Sequence, residues 1–107
     1  MKISEILIEA KKKIYTPEKW TASTLARDSK NQEVDFDSKN AVCFCSIGAL
    51  KVEFHEKNIP NSTWYSCIKA LSGTMDVGAA LFNDVHTHEE VMAAWDKAIA
   101  ATQAHGD

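Results

Sequence analysis

Arginine occurs once, at Arg27, against eleven lysines, and the chain has no glycine-rich loop, no paired C-x-x-C or H-x-x-x-H element and no uninterrupted apolar run of membrane-spanning length. Each absence removes a class of function. A phosphate-cradling loop needs spaced glycines, and none are present in that pattern. Strong zinc signatures need paired Cys or His elements, so no metal and no cofactor is expected. The amino terminus M-K-I-S-E-I-L-I-E-A is interrupted by Glu5 and Glu9, which leaves neither a signal-peptide core nor a membrane span. A cytoplasmic protein with no membrane partner is expected. Cys43, Cys45 and Cys67 are an odd number in no recognisable disulfide framework, and reduced thiols follow. The 12 basic and 15 acidic residues interleave to a net charge of -3. The nearest approach to a basic patch is Lys11, Lys12 and Lys13, at the end of the first predicted helix, where lysines complement the helix dipole. Direct nucleic-acid binding, which favours a basic surplus on one face, is not expected.

What is present suits one folded domain. Apolar residues make up 45% and charged residues 25% of the 107, ordinary globular usage at a length that leaves no room for two comfortable cores. We read residues 1–107 as one domain, with a tail from about 104 expected to be disordered. Ser4 is the expected cap of a first helix whose Ile3, Ile6, Leu7, Ala10 and Ile14 share one face, ending near Tyr15 because Pro17 disfavours helix at Thr16. Trp20 to Phe36 reads as two short extended pieces joined by a polar turn, or as an ordered loop.

The apolar run N-A-V-C-F-C-S-I-G-A-L-K-V-E-F-H after Asn40 reads as a buried central helix. Gly48 within it costs up to about 1 kcal/mol in a helix, so a close neighbour is expected there. Beyond Pro60, Ser62 or Thr63 is expected to cap a helix carrying Trp64, Tyr65, Ile68 and Leu71, with Gly73 at its C-cap. Val77 to Phe82 reads as a turn or two of helix. The fold class is therefore mainly α: a compact bundle of four to five helices with a small β-hairpin or ordered loop after the first.

The last helix has the clearest start. In L-F-N-D-V-H-T-H-E-E-V, residues 81–91, the order Thr87-His88-Glu89-Glu90 fits a capping box, and Glu89 and Glu90 meet the positive end of the dipole. Val91, Ala94, Trp95, Ala98 and Ile99 continue as an apolar stripe. Much of this chemically rich stretch thus reads as helix punctuation. Trp20, Trp64 and Trp95 fall in different elements and read as packing residues, while His55 and His105 read as solvated.

K-W-T-x-x-x-L-A-R-D, then C-S-I-G-A-L, then N-D-x-x-x-H-E-E-V, together resemble a family of small uncharacterised proteins of bacteria and their phages. Its pattern is W-T-x-x-x-x-A-R-D, C-x-x-G-A-L, and W-N-D followed by T-H-x-x-V. The matching positions are Trp20, Arg27, Asp28, Cys45, Gly48, Ala49, Leu50, Asn83, Asp84, His88 and Val91, and the likeness spans Trp20 to about Ala100. Phe82 stands where the family tends to have Trp, and Asn31 falls near an expected turn glycine. The resemblance implies no established activity.

The site candidates are Arg27, Asn83, Asp84, His88 and Cys45. Arginine's rigid fork suits bidentate pairing with a carboxylate, so Arg27 is expected to pair with Asp84 and tie the hairpin to the turn before the last helix, with Asn83 bonding nearby backbone. Arg27 with His88 could instead hold an anion. Cys45 with His86 or His88 and Asn83 or Asp84 has the residue types of a thiol nucleophile, base and orienting group, although an apolar run favours an inert, neutral thiol. A zinc site from Cys43, Cys45, Cys67 and His55 is disfavoured if C-x-C is helical, since the two thiolates then point about 200° apart. Two functions follow as expectations. The first is a non-enzymatic module with a protein partner, such as a phage or bacterial accessory protein inhibiting a host defence complex. The second is a small hydrolase or transferase built on Arg27, Asn83, Asp84 and His88.

Overall fold

In the computed structural model, which describes residues 1–75 and 78–107, the first helix, α1 (Ile3–Lys12), turns Ile6, Leu7 and Ala10 inward with no exposure at all. Burial of Ile6 and of Leu7 contributes about 1.5–3 kcal/mol each, and of the smaller Ala10 less. Ser4 is not the cap: Lys2 occupies that position, and the Glu5 carboxylate accepts from the Lys2 backbone N–H at 2.7 Å. Ser4 lies one residue inside and is buried, its own N–H bonded at 3.0 Å to the carbonyl of Asp107. The tail after Ala104 thus turns back across the start of α1, with Asp107 N–H donating to Thr102 O at 2.8 Å.

A 3₁₀ turn, Pro17–Lys19, follows the first helix and delivers Trp20 and Thr21 to the edge of a small antiparallel pair, β1 (Ala26–Arg27) and β2 (Cys43–Phe44). The register is Ala26 opposite Phe44 and Arg27 opposite Cys43. This pair is the small hairpin expected after the first helix, with its second strand later than Phe36; within Trp20–Phe36 itself the pairing is a bridge between Arg27 and Glu33, closed by a turn in which the Asp28 carboxylate accepts from the N–H groups of Lys30 and Gln32. Asn31, near the expected turn glycine, has φ 65°, the left-handed region that Asn tolerates better than most residues. The strand that completes the sheet comes instead from the apolar run assigned to the central helix.

That helix, α2, spans Ser46–Glu56. Its late start is a correction, and its cause is local: residues 43 and 44 are held extended by β1, and Cys45 becomes the N-cap, its sulfur accepting from Gly48 N–H at 3.3 Å. The close neighbour expected at Gly48 is the loop before β1. A Cβ there would lie 2.1 Å from the Leu25 carbonyl oxygen, and that carbonyl already accepts from Cys45 N–H at 3.2 Å.

At the other end, Asn58 at φ 51° and the bond from Ile59 N–H to Phe54 O (3.1 Å) turn the chain sharply out of α2. This is a Schellman-type ending with Asn in the glycine position and Pro60 just beyond it. A second 3₁₀ turn, Asn61–Thr63, leads into α3 (Trp64–Ser72). Neither Ser62 nor Thr63 caps α3 through its side chain, because that preceding turn already takes up the first amides; Gly73 at its end is right-handed, at φ -65°. Of the expected short helix, Val77 lies outside the described residues; α4 runs Ala79–Val85 and carries Asn83 and Asp84 on its last turn. The final helix, α5 (His88–Ala104), starts with the expected capping box, Thr87 and Glu90 each bonding the other's backbone N–H.

The core lies where α1, α2, α3 and α5 meet around Leu50, Leu71, Val91, Trp95 and Ala98, all fully or almost fully buried. The three lysines at the end of α1 are more than a solvated end. Lys11 pairs with Asp96 on α5, Lys12 with Glu9, and Lys13 with Glu53 and Glu56 on α2. Glu53 is 1% exposed, and Lys57 contacts its other oxygen at 2.7 Å without hydrogen-bond alignment. Among the described residues no helix is long and apolar enough to cross a membrane.

Candidate functional site

The polar residues singled out in the sequence gather where α4 ends and α5 begins, facing the segment Ile14–Ser23. Asn83 is the centre of this group and is fully buried. Its Oδ1 accepts from Trp20 Nε1 (2.8 Å), Ser46 N (3.0 Å) and Ser46 Oγ (2.8 Å), while its Nδ2 donates to Thr21 O (3.0 Å). The amide orientation is fixed by its partners, since an indole and a backbone N–H can only donate and a carbonyl can only accept. Ser46 Oγ in turn accepts from Trp95 Nε1 at 3.0 Å. One amide and one hydroxyl therefore satisfy two indoles, that of buried Trp95 and that of half-buried Trp20, join four elements and leave none of their own atoms free.

The neighbouring candidates are committed in the same way. Asp84 Oδ1 accepts from Ser23 N at 2.7 Å and so holds Ser23, a non-glycine residue at φ 70°, in a left-handed conformation. His88 Nε2 lies 2.7 Å from Ile14 O, and because a carbonyl only accepts, that nitrogen carries the proton. The same ring packs on Trp20 with centroids 5.7 Å apart. His86 stacks on Phe82 at 3.8 Å and donates from Nδ1 to Phe82 O.

Arg27 is not the partner of Asp84. Its Nε donates to Thr21 Oγ1 (2.9 Å), and its two terminal nitrogens to Asn31 O (3.2 Å) and Ala22 O (3.4 Å). No Arg27–Asp84 ion pair forms among the described residues. The fork braces the two ends of its own loop, and Asn83, Asp84 and His88 do the clasping expected of it. The reason is geometric: β1 pairs with β2, so the Arg27 side chain falls over the Trp20–Ser23 backbone instead of reaching α4.

Cys45 is buried and already accepts the Gly48 amide; burial raises its pKa above that of an ordinary thiol, and the amide bond only partly opposes this. Cys67, within the apolar core, is pushed up to about 11 by burial alone. Both thiols are protonated at neutral pH, the opposite of an activated nucleophile. The C-x-C segment is extended and not helical, which removes the geometric objection to shared coordination, yet no group of three or more His, Cys, Asp or Glu converges among the described residues.

Open space lies elsewhere. A groove of about 650 Å³ runs between the loop carrying Phe36 and the α2–α3 corner. The Schellman-type turn builds its floor by bringing Ile59 back over Phe54, and Trp64 packs edge-on to Phe54 at 5.1 Å. Lys51 crosses the groove with its ammonium 5.7 Å from the Phe36 ring centroid and 5.6 Å from that of Trp64. His55 meets Phe36 edge-on at 6.1 Å.

The model of a family of unknown function, DUF6197, matches residues 1–101. The chain belongs to that family. The match takes in α1, beyond the Trp20 to Ala100 stretch that carried the resemblance in the sequence. No curated protein and no solved structure matches the chain. For this DUF6197 member the site that sequence reasoning located is the clasp, and the one it missed is the groove. Phe36, Lys51, His55 and Trp64 lie up to 28 residues apart and share no spacing pattern. The available signal was the N-I-P after α2, whose Asn and Pro mark the corner that shapes the floor.

Proposed function

We propose that this protein works by binding another protein and not by catalysis. One observation carries the reading: the groups that could perform chemistry are consumed in holding the chain together. Asn83 spends both amide atoms on Trp20, Thr21 and Ser46, Asp84 holds Ser23, His88 bonds Ile14, and Arg27 bonds its own loop. A general base or anion clamp needs a free atom directed at a substrate, whereas the bonded atoms of these groups are directed at backbone and side chains of the chain itself. Among the described residues, four of the best-formed clefts are lined by other side chains. The aromatic groove, by contrast, offers the rigid apolar area on which binding hot spots are built.

An accessory role in a bacterium or phage, in which the chain occupies and inhibits a host complex such as a defence assembly, is the form favoured by a small acidic domain of this kind. The test is affinity capture of the tagged full chain from cells of its source, followed by reconstitution of the complex from purified components. A stoichiometric complex is expected, retained by His88→Gln and Arg27→Lys variants that stay folded. Turnover of an ester, amide or phosphate substrate that vanishes in a folded His88→Gln variant would reverse the conclusion in favour of a hydrolase.

A further inference from the structure

We propose that the groove between Phe36 and Trp64 docks an extended segment of the partner that carries one carboxylate among apolar residues, with the carboxylate bonded to Lys51. This rests on the protein-binding reading above and supplies the chemistry of the partner.

The argument begins with charge. The chain carries a net -3, yet the ionisable residues lining the groove are Lys51 and His55, both basic or neutral. Among the described residues Lys51 forms no ion pair and donates no hydrogen bond, although the other half-buried lysines, Lys11 and Lys13, both have carboxylate partners. Its ammonium is held instead between two aromatic rings, Phe36 and Trp64. Such contacts position a cation and partly desolvate it without using its N–H donors. A carboxylate arriving there gains charge-assisted hydrogen bonds, about tenfold or more in affinity. The apolar remainder of the segment would lie on Phe54, Ile59 and Trp64.

The surroundings limit how much negative charge the occupant can bear. Clefts that share Phe36 with the groove are lined by four carboxylates, Glu33, Asp35, Asp37 and Glu56, the last already paired with Lys13, against the single lysine Lys39. A polyanion tracking past Phe36 would meet these carboxylates, and a single lysine does not match a phosphate backbone, which is bound by rows of cations. Aromatic rings with a lysine can also stack single-stranded bases; the acidic rim is what favours a peptide with one carboxylate and neutral or basic flanks.

The probe is the acetylated, amidated peptide Leu-Phe-Glu-Leu-Lys, titrated into the ¹⁵N-labelled full chain and followed by amide and indole NMR signals. The three indoles separate the outcomes, because Trp20 and Trp95 bond internally and Trp64 lines the groove. Saturable shifts of the Trp64 indole and the Lys51 and His55 amides are expected, with the other two indoles unmoved. The same peptide with Gln for Glu should bind about tenfold more weakly, as should the Glu peptide to Lys51→Gln, and added salt should weaken the Glu peptide selectively. Lys51→Arg should retain binding. Equal binding of the Gln peptide, shifts outside the groove, or a tighter saturable response to an oligothymidine would each overturn the proposal. If a protein partner captured by the full chain binds Lys51→Gln undiminished, this inference fails while the protein-binding reading stands. If no partner is found although the peptide binds, the reverse holds.

Discussion

The clasp around Asn83 and the groove around Lys51 place polar groups in partly apolar surroundings, and they satisfy those groups in opposite directions. In the clasp the side-chain hydrogen bonds of Asn83, Ser46, Asp84 and His88 all run to other parts of the chain, and the central amide has no contact with solvent. In the groove the one fixed charge is steadied by aromatic faces and keeps its hydrogen-bonding capacity unspent. The lesson is that dense polar chemistry in a sequence does not locate a binding site. A buried polar group costs free energy until it is paired, so clusters of such groups mark places where the fold needs a join. An unpaired cation at the surface costs little and can wait for a ligand.

Substitutions should separate the two regions by their effect on stability, and the largest effect is expected at the clasp. Asn83→Ala removes the acceptor of Trp20 Nε1 and Ser46 N and leaves buried donors unsatisfied, at about 1–3 kcal/mol each. A loss of about 4 kcal/mol in chemical denaturation is expected; a loss under 1 kcal/mol would mean that the clasp is not structural. Gly48→Ala comes next. Its Cβ would press on the Leu25 carbonyl, and overpacking of this kind costs about 1–3 kcal/mol, partly offset by alanine's better helix propensity. A stabilised Gly48→Ala variant would show that the Leu25 loop yields easily.

Thr87→Ala should cost about 1 kcal/mol as a lost N-cap. Its partner Glu90 supplies a pH signature. Hydrogen bonds from Thr87 hold the Glu90 carboxyl below its ordinary pKa, so its stabilising contribution is present above the unfolded carboxylate's pKa and is lost as pH falls through the lowered folded value. Glu90→Gln should therefore flatten part of the acid limb of the stability curve. Lys51→Gln should change stability least, by under about 0.5 kcal/mol as surface substitutions do, while weakening groove binding about tenfold. A large destabilisation there would erase the contrast between the two regions. Thiol chemistry sharpens the same boundary: iodoacetamide at neutral pH should modify Cys45 and Cys67 in the folded chain far more slowly than in denaturant, because burial keeps both protonated. Rapid labelling of folded Cys45 would restore it as a candidate nucleophile.

Local signals were legible where neighbours in sequence are also neighbours in space. The Thr87–Glu90 capping box, the apolar stripe of the last helix and the inward face of the first all follow from spacings of three and four residues. Gly48 was also readable, since a glycine inside an apolar helix signals a close approach even when the approaching segment is unnamed. The start of the central helix was misread because Val42, Cys43 and Phe44 fit a buried helix as well as a strand, and only pairing with Ala26 and Arg27 decides between them. Arg27 was assigned the wrong partner for a related reason. Its motif places it near Asp28 and Thr21 along the chain, but which way the fork points depends on the register of β1.

Taken alone, the sequence determined a mainly helical domain, the apolar stripes of α1 and α5, the cap of α5, and the neighbourhood in which Asn83, Asp84 and His88 would act. These properties depend on interactions a few residues long, so they are written in local order. The tertiary structure alone decided that Asn83 would join Trp20, Ser46 and Trp95, that the carboxylate of Glu53 would be buried between two lysines, and that Lys51 would be left over among aromatic rings. Those outcomes depend on which groups distant in the chain are brought within a few ångströms of one another by the packing of whole elements, and such contacts leave no periodic trace in the sequence.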